Sequence, residues 1–129
     1  MANEINAVLS LAASKGGASV NSVGSTGPAS DTFDMSGTDM TSGTQIATTT
    51  TAALTLGSVT APYYAFLHNT SADPAEIIRV GNANADPITA IVSELGAGDR
   101  AFLVVPSGTT LYVESASGSP SLFRVIVEK

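Results

Sequence analysis

The stretch RAFLVVPSGTTLYVESASGSPSLFRVIVE, residues 100–128, carries the most regular structural pattern in the chain. Three apolar segments, 100–105, 110–115 and 122–128, are separated by the turn sequences Pro-Ser-Gly and Gly-Ser-Pro. Short segments rich in β-branched and aromatic residues and bounded by Gly and Pro are typical of strands. The stretch therefore predicts three consecutive strands joined by tight turns.

The same pattern continues upstream, as far as residue 45. Strand-like segments over 45–56, 63–69, 76–80 and 88–93 alternate with turn signals such as Gly57-Ser58, Asp73-Pro74 and Asp86-Pro87. Four consecutive threonines, 48–51, argue against a helix. Strands recur about every 8–13 residues, which is the spacing of an antiparallel sandwich or barrel. We predict an all-β fold, with a single antiparallel β-sandwich, jelly-roll-like or immunoglobulin-like, over 45–129.

Residues 1–44 have a different character. Ile5, Ala7, Leu9 and Leu11 alternate with mostly polar residues, which predicts a strand. The region that follows is rich in Gly, Ser and Thr and holds few large apolar side chains. Ordering each backbone residue costs about 1–2 kcal/mol, so such a segment gains too little from burial to order itself. We predict an N-terminal strand and an extended Gly/Ser/Thr-rich arm over 1–44, of which residues 12–44 depend on partners for their order.

Composition narrows the possible partners. The chain has 129 residues, a net charge of −6 and five basic residues that form no run, so neither nucleic acid nor an anionic membrane is an expected partner. Cysteine is absent, which excludes disulfides and thiolate metal sites. No basic segment precedes the short apolar stretch near the N-terminus, so a signal peptide is not expected. The charged fraction of 12% fits either a neutral Ser/Thr surface or a surface buried against other subunits.

Residue types that carry chemistry are few and scattered. His68 is the only histidine and has no partner in sequence for catalysis or metal binding, so we interpret it as structural. The acidic residues that could serve calcium binding or glycoside hydrolysis are Asp31, Asp34, Asp39, Glu76, Glu94 and Glu114. The three aspartates lack the alternate spacing of an EF-hand loop, while the separation of the three glutamates depends on the fold. We predict no enzyme activity and assign no catalytic, cofactor-binding or metal-binding residue.

Two further groups of residues receive a structural interpretation. Gly16-Gly17 and Gly96-Ala97-Gly98 lack the Lys-Ser/Thr that follows a phosphate-binding loop, so we interpret both as turns. Aromatic side chains in strands are usually core residues. We therefore expect most of the following six in or near the sandwich interior: Tyr63, Tyr64, Phe66, Phe102, Tyr112 and Phe123.

Residues 54–129, about 60% of the chain, also carry a resemblance to a known type of protein. The segments concerned are LTLGSVTAPYYAFLHNTSADPAEIIRVG (54–81), ELGAGDRAFLVVPSGTTLYVESASGS (94–119) and FRVIVEK (123–129). Their order of leucine-rich, aromatic, Ile/Val-rich and Leu-Tyr-Val strands resembles small structural proteins of tailed-bacteriophage virions, of the capsid cement or decoration type.

The resemblance implies a structural role and no catalytic residue. It implies a protein on the capsid exterior, present in the host cytoplasm during assembly, that stabilises junctions between major capsid subunits. Its expected partners are the major capsid protein or other virion subunits, together with copies of itself, with a trimer favoured and no cofactor. Two alternatives stay open: a tail, neck or head-fibre component, and a carbohydrate- or receptor-binding module.

Overall fold

The structure, a computed structural model, describes residues 4–9, 12–15, 18–21, 29–34 and 40–128, with side chains over 40–128. The chain divides into two units, Met1–Ser36 and Gly37–Lys129. In the first unit, β1 (Glu4–Leu9) pairs antiparallel with β4 (Ala29–Asp34), and β2 (Ala12–Lys15) pairs antiparallel with β3 (Ala18–Asn21). The predicted arm includes residues outside the described ones, so its dependence on partners stays a prediction.

The second unit, which we call the sandwich unit, contains eight strands in two antiparallel four-stranded sheets. Sheet I has the order β10-β7-β12-β5, and sheet II has the order β6-β11-β8-β9. The strands of sheet I are β5 (Met40–Ile46), β7 (Pro62–Asn69), β10 (Arg100–Val104) and β12 (Ser121–Glu128). Those of sheet II are β6 (Ala52–Ala53), β8 (Ile78–Gly81), β9 (Ile91–Leu95) and β11 (Tyr112–Ser115).

The eight strands pair in a nested way. The innermost pair is β8 with β9, followed outward by β7 with β10, β6 with β11, and β5 with β12. Successive pairs fall alternately in sheet II and sheet I. The eight strands therefore form one long antiparallel ribbon whose successive pairs alternate between the two sheets. Two further pairings, β12 with β7 and β11 with β8, complete the sheets.

The core consists of aliphatic side chains from both sheets. Sheet I contributes Ala65, Leu67, Leu122 and Ile126, all with no exposed surface. Sheet II contributes the buried side chains Ile78, Val80, Leu95 and Val113. Because strand side chains alternate between faces, these residues define the inner face of each sheet. The two inner faces share one core, as in a sandwich.

The all-β prediction is confirmed: the described residues form strands and no helix, and those of the sandwich unit form two antiparallel sheets in a sandwich-like arrangement. The predicted strand over 45–56 is wrong in its extent, because the chain there leaves sheet I at Ile46 and enters sheet II at Ala52. The proposed boundary between residues 44 and 45 falls inside β5, whereas the two units meet between Ser36 and Gly37. No described segment forms a helix long and apolar enough to span a bilayer.

Candidate interaction surface

The outer face of sheet I is unusually apolar. We use this name for the side chains that alternate with the inward-facing ones on its four strands. They are Met40, Ser42, Thr44 and Ile46 on β5, Ser121, Phe123, Val125 and the buried Val127 on β12, Tyr64, Phe66 and His68 on β7, and Arg100, Phe102 and Val104 on β10. The outer face contains several large apolar groups and no carboxylate.

Strand register arranges the outer face in rows across the sheet. One row places Phe102 beside Phe66, Phe66 beside Val125, and Val125 beside Ser42. The next row places Val104 beside Tyr64. Directly opposed side chains in antiparallel strands lie close enough to pack, so the apolar groups form a continuous patch.

Aromatic contacts hold part of this patch in a fixed shape. The rings of Tyr64 and Phe102 stack with their centroids 5.2 Å apart. Tyr63, the next residue along β7, meets Tyr64 edge to face at 4.6 Å. Even so, Phe102 is 46% exposed and Val104 is 58% exposed. The patch is therefore ordered, and within the sandwich unit these two side chains are open to solvent.

The expectation that most of the six aromatic residues lie in or near the interior is wrong. Tyr64, Phe66, Phe102 and Phe123 lie on the outer face of sheet I, and none of the six belongs to the buried core. Tyr63 shares the inward parity of Ala65 but is half-buried at the start of β7. The core cluster consists of Leu, Ile, Val and Ala, and the rings of the four outer-face residues lie on the opposite side of the sheet.

The outer side of sheet II has the opposite chemistry. Arg79 lies in register between Glu94 and Glu114, and its guanidinium contacts them at 3.1 and 3.2 Å. Glu114 is buried and also accepts hydrogen bonds from the Ile88 N–H at 2.8 Å and the Thr51 hydroxyl at 2.9 Å. Two of the three candidate glutamates thus meet at one guanidinium, which forms an ion pair with each.

The environment of Glu114 fixes its charge state. Burial raises the pKa of this carboxyl, but the hydrogen bonds from Ile88, Thr51 and Arg79 outweigh burial and hold the pKa below its ordinary value. The pKa of Arg79 is raised by its hydrogen bonds to Glu94 and then Glu114. Through its hydrogen bonds, Glu114 ties residues 51 and 88 to the sheet, which is a structural role.

The remaining candidates lie apart from one another. His68 is half-buried on the outer face of sheet I, with Arg100 and Phe123 as its cross-strand neighbours. Glu76 accepts hydrogen bonds from the Ser71 hydroxyl at 2.5 Å and the Ser119 N–H at 3.3 Å. Among residues whose side chains are described, no group of three or more His, Cys, Asp or Glu is placed to hold a metal.

The glycine-rich candidates divide in the same way. Gly96–Asp99 forms a turn, as predicted, closed by the Asp99 N–H donating to the Gly96 carbonyl at 3.0 Å. Gly16, Gly17 and Asp39 lie outside the described residues. Asp31 and Asp34 belong to β4, where only the backbone is described.

Arg124 is an unexpected feature of the inner face of sheet I. It is only 6% exposed, and its Nε donates to the Thr55 carbonyl, while Nη1 has no hydrogen-bond partner among the described residues. Its register neighbour on β5 is Gly43, whose missing side chain leaves room for the guanidinium. The arginine helps to hold the loop that follows β6 over the edge of the sandwich.

A cleft of about 460 Å³ lies at one end of the sandwich unit. Tyr63, Leu56 and Pro62 provide its apolar wall, and the rest of its lining is dominated by Ser and Thr from 60–61 and 107–110. No ionisable acid or base lines it apart from the tyrosine phenol. Its chemistry suits a neutral, hydroxyl-rich ligand better than a charged one.

One signal in the sequence pointed to the outer face. On β7 and β12 both alternating sets are apolar, with Leu67 and Ile126 on one side and Phe66 and Val125 on the other. Strands that read as continuous apolar runs are typically covered on both faces.

Comparison of the chain with protein families, with curated proteins and with solved structures finds no significant match.

Proposed function

We propose that this chain is a non-enzymatic structural subunit of a tailed-bacteriophage virion, of the capsid cement or decoration type. The observation that carries the proposal is the outer face of sheet I, which is apolar, ordered and free of carboxylates. Soluble proteins rarely expose a large contiguous apolar patch unless another molecule covers it. On this proposal, the patch is the surface that the major capsid protein or another virion subunit covers.

The strand pairing supports the finer description of the fold as a jelly roll. An eight-stranded ribbon whose pairs alternate between two sheets is the jelly-roll arrangement, which occurs in viral capsid and lectin domains. Such folds host many unrelated functions. The pairing is therefore compatible with a capsid role, and the outer face carries the weight of the proposal.

The proposed mechanism is stabilisation by binding alone. Burial of apolar surface contributes about 25 cal/mol per Å², and a subunit that binds the assembled lattice but not its dissociated parts stabilises the lattice by mass action. The acidic balance fits the capsid exterior better than the space beside packaged DNA. Self-association, with threefold symmetry favoured, remains a prediction from the sequence.

A paired substitution tests the proposal. Val125→Lys places a charge at the centre of the outer face, and Val92→Lys places the same charge on sheet II, where Val92 is already 48% exposed. We expect Val125→Lys to lose binding to particles stripped of this protein, and Val92→Lys to bind as the wild type does. Particles reloaded with wild type should withstand a higher temperature than stripped ones. Equal binding by both variants would contradict the proposal.

The cleft favours a second candidate, a carbohydrate- or receptor-binding module. A pocket of a few hundred Å³ with one aromatic wall and several hydroxyls matches the chemistry of small-ligand sites. Stripped particles that keep full heat stability but no longer adsorb to host cells would support this candidate and overturn the cement role. Imaging of the protein at the tail, neck or head fibre would instead place it in those structures.

A further inference from the structure

Strand β10 (Arg100–Val104) is an edge of sheet I. It pairs with β7 on one side, and no described strand pairs with it on the other. Natural proteins usually protect such an edge with charges, proline or a bulge. Within β10 the single charge is Arg100, there is no proline, and its register with β7 runs without a shift.

Hydrogen bonds at the two ends of β10 show which of its backbone groups are free. The Val105 N–H donates to the Tyr63 carbonyl at 2.8 Å, and the Asn69 N–H donates to the Asp99 carbonyl at 3.0 Å. Because backbone groups alternate in direction along an antiparallel strand, the odd-numbered residues face β7. The N–H and C=O groups of Arg100, Phe102 and Val104 therefore point toward the open edge.

The same three residues carry the exposed side chains of β10. Phe102 and Val104 are 46% and 58% exposed on the outer face. An approaching strand would gain backbone hydrogen bonds at the edge and apolar contact on the outer face together. This combination is the one used in recognition by strand addition.

We propose that a second copy of this chain occupies the edge, with β10 pairing antiparallel to β10 of the partner about a twofold axis at Phe102. In this register Phe102 lies opposite its own counterpart, and Arg100 lies opposite Val104 of the other copy. The two arginines lie at opposite ends of the contact, so like charges do not meet. Sheet I then continues across the axis as one eight-stranded sheet.

Pairing of β10 with β10 of a second copy uses the edge-facing backbone groups of both chains. Each of the three residues with free backbone groups pairs with another of the same set, because Phe102 is at the centre and the other two lie two residues to either side. The outer face carries no carboxylate, so the net charge of −6 is not concentrated at the contact. A twofold contact also closes on itself and leaves no free β10 edge, which prevents growth into fibres through this strand. The inference does not depend on the virion role, and its twofold contact replaces the threefold symmetry that the resemblance favours.

Sedimentation of the full chain over a concentration series provides the first test. A contact made mainly by one five-residue strand is smaller than a standard interface, so we expect weak, reversible dimers. Phe102→Pro removes the central N–H donor and should weaken dimerisation about tenfold or more. Phe102→Ala keeps that donor and should weaken it less. Thr44→Lys, on the opposite edge strand of the same face, should dimerise as the wild type does.

Crosslinking tests the register and does not depend on the proline variant folding. The chain has no cysteine, so single introduced thiols are unambiguous. Residues opposite each other in a hydrogen-bonded pair lie about 5.5 Å apart at Cα, whereas identical residues at position 100 or 104 would lie about 14 Å apart along the strands. A short bismaleimide should therefore join Arg100→Cys to Val104→Cys in a mixture far more than it joins either variant to itself. A wild type that stays monomeric at every concentration, or crosslinking with no preference for the mixed pair, would overturn the proposal.

Discussion

Leu67→Ala should lower the free energy of unfolding more than Phe102→Ala does, although phenylalanine is the larger side chain. Leu67 has no exposed surface and packs in the shared core, so Leu67→Ala leaves a cavity. Such substitutions cost about 2–5 kcal/mol. Phe102 is larger, but it is 46% exposed and borders solvent, so its removal leaves no enclosed cavity.

The expected magnitude for Phe102 follows from its burial. Complete burial of such a side chain contributes about 1.5–3 kcal/mol, and roughly half of that surface is buried in the single chain. Phe102→Ala should therefore lower the free energy of unfolding by about 1 kcal/mol, against about 3 kcal/mol for Leu67→Ala. A difference of this size is resolved by urea denaturation.

The assay is urea unfolding followed by far-UV circular dichroism and tyrosine fluorescence, because the chain lacks tryptophan. Measurements at two low protein concentrations separate the stability of the single chain from that of any dimer. If Phe102→Ala cost as much as Leu67→Ala at the lower concentration, Phe102 would belong to the core, and the outer face would be misassigned.

Two further outcomes are expected from the buried carboxylate and from one turn. The pKa of Glu114 is lower in the folded chain than in the unfolded one, so the stability it contributes is present above the unfolded value of about 4.3 and is lost as the pH falls through the lower, folded value. Wild type should therefore lose stability in urea titrations below about pH 4.3 more steeply than Glu114→Gln, and parallel pH profiles would refute this. Gly57 and Gly98 both have a left-handed backbone, with φ of 63° and 78°, but a Cβ on Gly57 would lie 2.4 Å from Thr41 Oγ1, whereas one on Gly98 meets nothing within 4 Å. Gly57→Ala should therefore lower the melting temperature more than Gly98→Ala, for which the backbone strain of about 1–2 kcal/mol is the main cost; equal losses would show that the contact with Thr41 does not matter.

Most strands of the sandwich unit could be predicted from the sequence, but the side that each strand turns toward the core could not. On β12, Phe123 and Val125 alternate with Arg124, which would suggest an apolar inner face, yet the arginine faces inward and the apolar pair faces outward. When both alternating sets contain apolar residues, periodicity alone does not identify the core side. In the structure, the inner face is occupied by aliphatic side chains and, beside Gly43, by the Arg124 guanidinium.

The start of the sandwich unit was missed for a related reason. The inward residues of β5 are Thr41, Gly43 and Gln45, which face the loop after β6 instead of the apolar core. The Gln45 side chain donates to the Ala53 carbonyl and accepts from the Thr55 N–H, both within 3 Å. A strand that binds a loop lacks apolar alternation, so its sequence resembles the Gly/Ser/Thr-rich region before it.

The ion pairs of sheet II also depend on information that is absent from local patterns. Glu94, Arg79 and Glu114 are adjacent because β8 lies between β9 and β11, and sequence spacing does not specify that order. The acidic residues could be named as candidates from the sequence, but whether they met a metal, a substrate or a cation could not.

The nested pairing has a practical consequence for the ends of the sandwich unit. Its first and last strands are neighbours, and Met40 lies opposite Val127 in their register. The backbone enters and leaves the unit at the same corner of sheet I. Glu128 therefore lies beside Met40, and a short linker between them would permit circular permutants of the sandwich unit with new ends in a loop of choice.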